Sequence, residues 1–276
     1  NINTNYAATI GGGRENTNAA DTGSIGGGQF NNIAATGTNA VIGGGGANTA
    51  SANAATIGGG GGNTASGIFS TIGGGAENTN AASYATVGGG YGNTASGSQA
   101  TIGGGEENTA STSYTTIAGG FLNTASGPYA AVGGGRRNAA IGVYATVGGG
   151  ERNTNSGNVA TIGGGLQNVA RGDYATIGGG WINTASGNNS TVAGGWTNTA
   201  SGFYAAVGGG VGNTASGSYA MVPGGQDNSA TGSQSFAAGR NALATNNNAF
   251  VWGGYNSSLV TTTSTNNNSF TVRAPG

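Results

Sequence analysis

Apolar and polar positions along this chain follow a pattern that returns every 15 residues. The unit reads Y-A-T-I-G-G-G-x-x-N-T-A-S-G-x. Its fixed mark is an Ile or Val before a glycine-rich triplet: Ile10, Ile25, Ile42, Ile57, Ile72, Val87, Ile102, Ile117, Val132, Val147, Ile162, Ile177, Val192, Val207 and Val222. One step, Ile25 to Ile42, is 17 residues; the others are 15. Within Y-A-T-I the aromatic and Thr face one side, and Ala and Ile the other. The β-branched residues favour strand, whereas N-T-A-S-G is built of turn formers. The pattern predicts two short strands per repeat, joined by glycine-rich corners.

A period of 15 residues is too short for helical repeats, which need roughly 33 to 47. It suits one coil of an all-β, parallel β-solenoid. A disordered linker would have no use for so fixed a register. At ~3.3 Å per residue the perimeter is only about 50 Å, so the lumen is narrow and small inward residues (Ala, Ser, Gly) are expected. About 17 coils stacked ~4.8 Å apart would make a rod roughly 80 Å long.

Asn recurs six residues after the Ile or Val, beginning at Asn16 and Asn31. It continues through Asn48, Asn63, Asn78, Asn93, Asn108, Asn123, Asn138, Asn153, Asn168, Asn183, Asn198, Asn213 and Asn228. This column is expected to form a structural ladder, each amide bonding to the next coil.

One coil cannot bury enough apolar surface to stand alone. Many units also carry an aromatic three residues before the Ile or Val: Phe69, Tyr84, Tyr114, Tyr129, Tyr144, Tyr174, Tyr204 and Tyr219. This combined stripe is expected to pack against a partner chain, most simply in a homotrimer. After Val222 the glycine triplet decays and the step shortens to 14, as from Ala237 to Val251. Residues 1–232 therefore read as the regular solenoid, and 233–276 as variant coils leading into a following module.

Composition narrows the function. There are 63 glycines among 276 residues, and 5% of residues are charged, against typical values of about 7% and 25%. The net charge of −1 gives no electrostatic basis for nucleic-acid binding. Cys and His are absent, which removes thiolate nucleophiles, most zinc sites and the commonest general base. No apolar run approaches the ~20 residues of a membrane helix, so this segment is not expected to insert. The chain opens at Asn1 without Met, and reads as a fragment or a processed product.

The motifs that could carry chemistry do not develop into sites. G-G-G-x-x-N-T lacks the Lys of a phosphate-binding loop, and the chain has no Lys at all. Asp21, Asp173 and Asp227 do not recur in register, as a calcium-binding repeat requires. Glu106-Glu107 has no second acidic pair in its coil, and a glycosidase needs two carboxylates across a cleft. The expectation is a protein that is not an enzyme and uses no cofactor or metal.

The fourth and fifth residues after each Ile or Val form a variable corner pair. Arg14, Glu15, Glu77, Glu106, Glu107, Arg136, Arg137, Glu151, Arg152 and Asp227 stand there, 10 of the chain's 15 charges. Charges are almost never buried unpaired, so this corner should be the outer edge. It also carries Phe121, Leu122, Leu166, Trp181, Ile182 and Trp196. Leu166, Trp181 and Trp196 come from consecutive coils and should form one exposed apolar column. Phe121, Leu166, Trp181, Ile182 and Trp196 are the candidate binding residues, suited to a protein hot spot or a sugar face. A covering chain or loop is the alternative.

Two stretches resemble the head repeats of trimeric autotransporter adhesins (the YadA-like head), which have the form A-x-A-x-G-x-x-A-x-A. They are Phe236-Ala237-Ala238-Gly239-Arg240-Asn241-Ala242-Leu243-Ala244 and Ala249-Phe250-Val251-Trp252-Gly253. The 15-residue units are a looser, longer version, and their triple glycine departs from the family motif. Similar repeats occur in phage tail fibres. The resemblance implies a left-handed β-roll, a tight homotrimer, an extracellular place on a cell or virion surface, and adhesion to a host or matrix protein or a surface glycan. An ice-binding solenoid is a second reading, resting on the rank Thr56, Thr71, Thr86, Thr101, Thr116, then Thr146, Thr161, Thr176 and Thr191. A self-assembling filament and a glycan-degrading spike are further readings.

Overall fold

The computed structural model describes residues 1–254 and 261–273. The chain is all-β, without a helix among the described residues, and is a parallel β-solenoid of about 17 coils. It divides into two units, Asn1–Arg137 and Asn138–Gly276, and each is built of the same coil.

In the first unit the coil around Ile72 shows the construction. Thr71–Ile72 pairs in parallel with Thr56–Ile57 on one side and Thr86–Val87 on the other, in strict register. Thr79–Asn80 lies between Thr64–Ala65 and Thr94–Ala95 in the same way. A third paired point is Ala76, bridged to Gly61 and Tyr91. In the second unit Thr176–Ile177 lies between Thr161–Ile162 and Thr191–Val192, and Trp181 is bridged to Leu166 and Trp196. N-T-A-S-G is therefore not one turn. Its Thr-Ala pair is a strand, and the turn falls later, at residues 82–84 in this coil. The β-branched Thr and the ladder on both sides outweigh local turn propensity.

The strands stop after two residues because left-handed residues bend the chain at fixed points. In the Ile72 coil these are Gly75 (φ 81°), Glu77 (φ 56°) and Tyr84 (φ 59°). Gly is obligatory at the first: a Cβ on Gly75 would lie 2.1 Å from the Gly90 carbonyl oxygen in the next coil. The other two positions accept any side chain, including β-branched Val159 (φ 56°) and Ile182 (φ 55°), although a non-glycine residue there costs about 1–2 kcal/mol.

Each coil fills its own lumen. Every marker Ile or Val from Ile25 to Val222 is at most 1% exposed, worth about 1.5–3 kcal/mol apiece. Alanines such as Ala65 and Ala85 and the Asn column complete the core. This corrects the expectation that the Ile and aromatic stripe packs as a whole against a partner. The Ile or Val is sealed inside one chain, and only the aromatic half of the stripe stays out. The repeat's Ser also faces outward, as at Ser66 and Ser96. In the coil that follows Ile57 the inward residues are Asn63, Ala65, Gly67 and Ser70, so small side chains fill the narrow lumen.

In the second unit the strands lengthen to Phe236–Arg240 and Phe250–Gly253. Phe236 pairs with Phe250, 14 residues on. Of the segment 233–276, residues 255–260 and 274–276, and with them the end of the predicted module entry, lie outside the described residues.

Candidate functional site

The Asn column is a buried ladder in both units. The Asn63 side-chain oxygen accepts the backbone N–H of Asn78 at 3.0 Å and its side-chain amide at 3.1 Å. The Asn63 amide donates in turn to the Gly59 carbonyl of its own coil at 3.1 Å and to the Gly75 carbonyl of the next at 2.9 Å. Asn48 and Asn93 repeat the arrangement in the first unit, and Asn198 and Asn213 in the second. The ladder ends where Asn228 accepts from the Ala242 N–H. The side chain thus satisfies the Gly59 carbonyl of its own glycine corner and adds a second donor to the Gly75 carbonyl, which also accepts the Gly61 N–H at 2.9 Å.

The ladder positions the variable corner on the outside. After the left-handed glycine, the fourth residue bridges its neighbours in adjacent coils, so side chains at this position stack in register. In the first unit the column includes Tyr91, Glu106, Phe121 and Arg136, each bridged to the next. The Arg136 guanidinium lies 5.8 Å from the Phe121 ring centroid, and Arg14 lies 5.3 Å from that of Phe30. The Tyr91 hydroxyl hydrogen-bonds Glu77, and this bond together with the charges of Glu77, Glu107 and Glu106 holds its pKa above the usual phenol value. Arg14–Glu15 at 3.4 Å and Arg152–Glu151 at 3.5 Å are exposed pairs of chain neighbours, worth little.

In the second unit Leu166, Trp181 and Trp196 follow one another through direct bridges. Leu166 is half-buried, while Trp181 and Trp196 are 44% and 46% exposed, with Ile182 beside them at 40%. The two indoles stack with centroids 5.3 Å apart and planes 8° from parallel, and the Trp181 Nε1–H donates to Gln167 Oε1 at 3.4 Å. Each ring turns one face on the other, with Leu166 and Val211 the bridged neighbours on the two outer sides of the pair. Phe121 belongs to the first unit and has Arg136 for company.

Several outward features had escaped the sequence reading. A second ladder runs through an exposed turn of the second unit: the Asn158 oxygen accepts from Val143 N–H, Asp173 from Asn158, and Asn188 from Asp173. Phe236, Phe250 and Phe270 stack at 4.7 Å intervals; the signal was a Phe after a small residue in S-F-A-A, A-F-V-W and S-F-T-V. The Thr of N-T-A-S forms its own outward rank, Thr49, Thr64, Thr79, Thr94, Thr109 and Thr124, paired coil to coil.

Among the described residues no group of three Asp, Glu, His or Cys is placed to hold a metal ion, and no helix is long and apolar enough to cross a membrane. No protein-family model and no curated protein matches the chain.

Proposed function

We propose that the chain is a structural and adhesive fibre segment, a scaffold whose outer corner makes contact with a surface protein or glycan. The observation that carries this reading is where the repeats differ from one another. Inward positions barely vary: Ile or Val, small residue, Asn. The corner pair ranges over Gly, Ala, Gln, Arg, Glu, Asp, Thr, Tyr, Phe, Leu, Val, Ile and Trp. A fold that needs none of those side chains for its core is free to use them for contacts. The Trp181–Trp196 stack beside Ile182 is the strongest such patch, of the kind that anchors interfaces. The exposed aromatic columns, Phe69–Tyr84 and Tyr114–Tyr129 in the first unit and Tyr204–Tyr219 in the second, support lateral packing of three copies in an extracellular fibre. No catalytic step or cofactor enters this reading.

The test is retention of the labelled chain on a panel of purified matrix proteins and immobilised glycans, against Trp181→Ser/Trp196→Ser. The reading expects one surface to hold the wild type and to lose the variant by at least ~10-fold, about 1.4 kcal/mol. Equal retention of both chains overturns it.

Ice binding is favoured by one observation, the second Thr rank, whose strands are followed directly by the outward Ser66 and Ser96 and lack the Tyr that flanks the first rank. Thermal hysteresis that Thr79→Lys/Thr94→Lys abolishes would establish this alternative.

A further inference from the structure

In the second unit the glycine corner shortens from 15-residue to 14-residue spacing, since Gly225 pairs with Gly239 and Gln226 with Arg240. One glycine is lost between the strand and the floor of the corner. In regular coils the residue after the Ile or Val is usually glycine, so the strand side of the corner has no wall. Here Trp252 follows Val251 directly and stands next to Gly253. An open surface groove of about 450 Å³ lies at this place, lined among the described residues by Gln226, Arg240 and Trp252 around Gly225, Gly239, Gly253 and Gly254.

The floor must stay bare. A Cβ on Gly225 would lie 1.9 Å from the Gly239 carbonyl oxygen, one on Gly239 1.9 Å from that of Gly253, and one on Gly253 2.1 Å from that of Arg240. Gly225 and Gly239 also hold left-handed φ values of 100° and 91°. The concavity is therefore enforced by the ladder itself. Ala238, in register with Trp252, is only 2% exposed, so the wall is closed beneath the indole, while Trp252 is 48% exposed.

We propose that this groove binds a carboxylate-bearing pyranose, a hexuronate-type sugar. A planar guanidinium such as that of Arg240 matches a carboxylate with two parallel hydrogen bonds. An indole packs the C–H face of a sugar ring. The Gln226 amide offers both donors and an acceptor for ring hydroxyls. Asp227, next to Gln226 and exposed, adds a like charge that weakens the site rather than builds it. The groove is separate from the Trp181–Trp196 stack, and the proposal stands independently of the fibre reading.

The test uses Trp252 as the reporter. The chain has three Trp, so Trp181→Phe/Trp196→Phe leaves Trp252 as the sole indole and removes the other two fluorescent reporters. Its fluorescence is titrated with D-glucuronate, glucose and acetate. The proposal expects a saturable change with glucuronate, at least ~10-fold weaker with Arg240→Gln and with either control ligand, and tighter with Asp227→Asn. Circular dichroism confirms that the Arg240→Gln chain is folded; if it is not, Gln226→Ala takes its place. The absence of a saturable change, or equal binding of glucose, or equal binding of acetate, overturns the proposal.

Discussion

The side-chain oxygen of Asn63 accepts both the backbone N–H of Asn78, at 3.0 Å, and its side-chain amide, at 3.1 Å. Asn78 passes the same pair of bonds to Asn93 at 3.0 and 3.1 Å, and caps the Gly74 and Gly90 carbonyls. Asn78→Ala leaves the Asn93 N–H and both carbonyls without these partners at a 0% exposed position. The expected loss is about 3 kcal/mol or more, read from urea unfolding. A loss below about 1 kcal/mol, the scale of one ordinary hydrogen bond, would contradict the ladder's role.

Neighbouring glycines should respond in opposite ways. Gly75→Ala places a Cβ 2.1 Å from the Gly90 oxygen at φ 81°, whereas a Cβ on Gly74 meets nothing within 4 Å. Gly75→Ala should cost at least ~3 kcal/mol and Gly74→Ala less than about 1. Thermal unfolding of the two chains decides it, and equal melting temperatures would refute the steric account.

Val159 holds φ 56° with 44% of its surface exposed. It loses little by giving up its side chain and carries the strain of a β-branched residue in the left-handed region. Val159→Asn should stabilise by about 1 kcal/mol, seen as a higher urea midpoint at unchanged slope. A lower midpoint would show that packing, not backbone strain, governs this turn.

Tyr91 should titrate above the usual phenol value of 10.0, first because its hydroxyl hydrogen-bonds Glu77 and then because of the surrounding carboxylates. The neutral phenol is the favoured form in the folded chain. Any contribution it makes to folding is therefore present below the unfolded pKa and is lost as pH rises through the folded one. An NMR titration of labelled tyrosine should show Glu77→Gln moving the Tyr91 midpoint down toward that of exposed tyrosines. An unmoved midpoint would remove Glu77 as the cause.

The fold was legible because a strict 15-residue return of Ile or Val, Gly and Asn permits few architectures. The buried Asn column and the Leu166–Trp181–Trp196 column follow from that period alone. Composition was a poorer guide within the coil. Thr79 reads as a turn residue but is held in a strand by Thr64 and Thr94. Ile72 reads as half of an intersubunit stripe, yet is sealed in its own lumen, because hydrophobicity does not say which chain does the burying. The left-handed φ of Tyr84 and Val159 has no residue signature, since stacking of coils imposes it. The Arg240–Trp252 groove depends on the loss of one glycine, and its consequence appears only once the coils are superposed.

Light scattering of the purified chain tests the fibre account most directly. Each coil closes its own core, so association must use the outward aromatic columns that include Phe69, Tyr84, Tyr114 and Tyr129. The account predicts a stable particle of three times the 26.1 kDa chain mass, reduced to single folded chains by Tyr84→Ser/Tyr114→Ser. A folded particle of one chain mass at every concentration would contradict it.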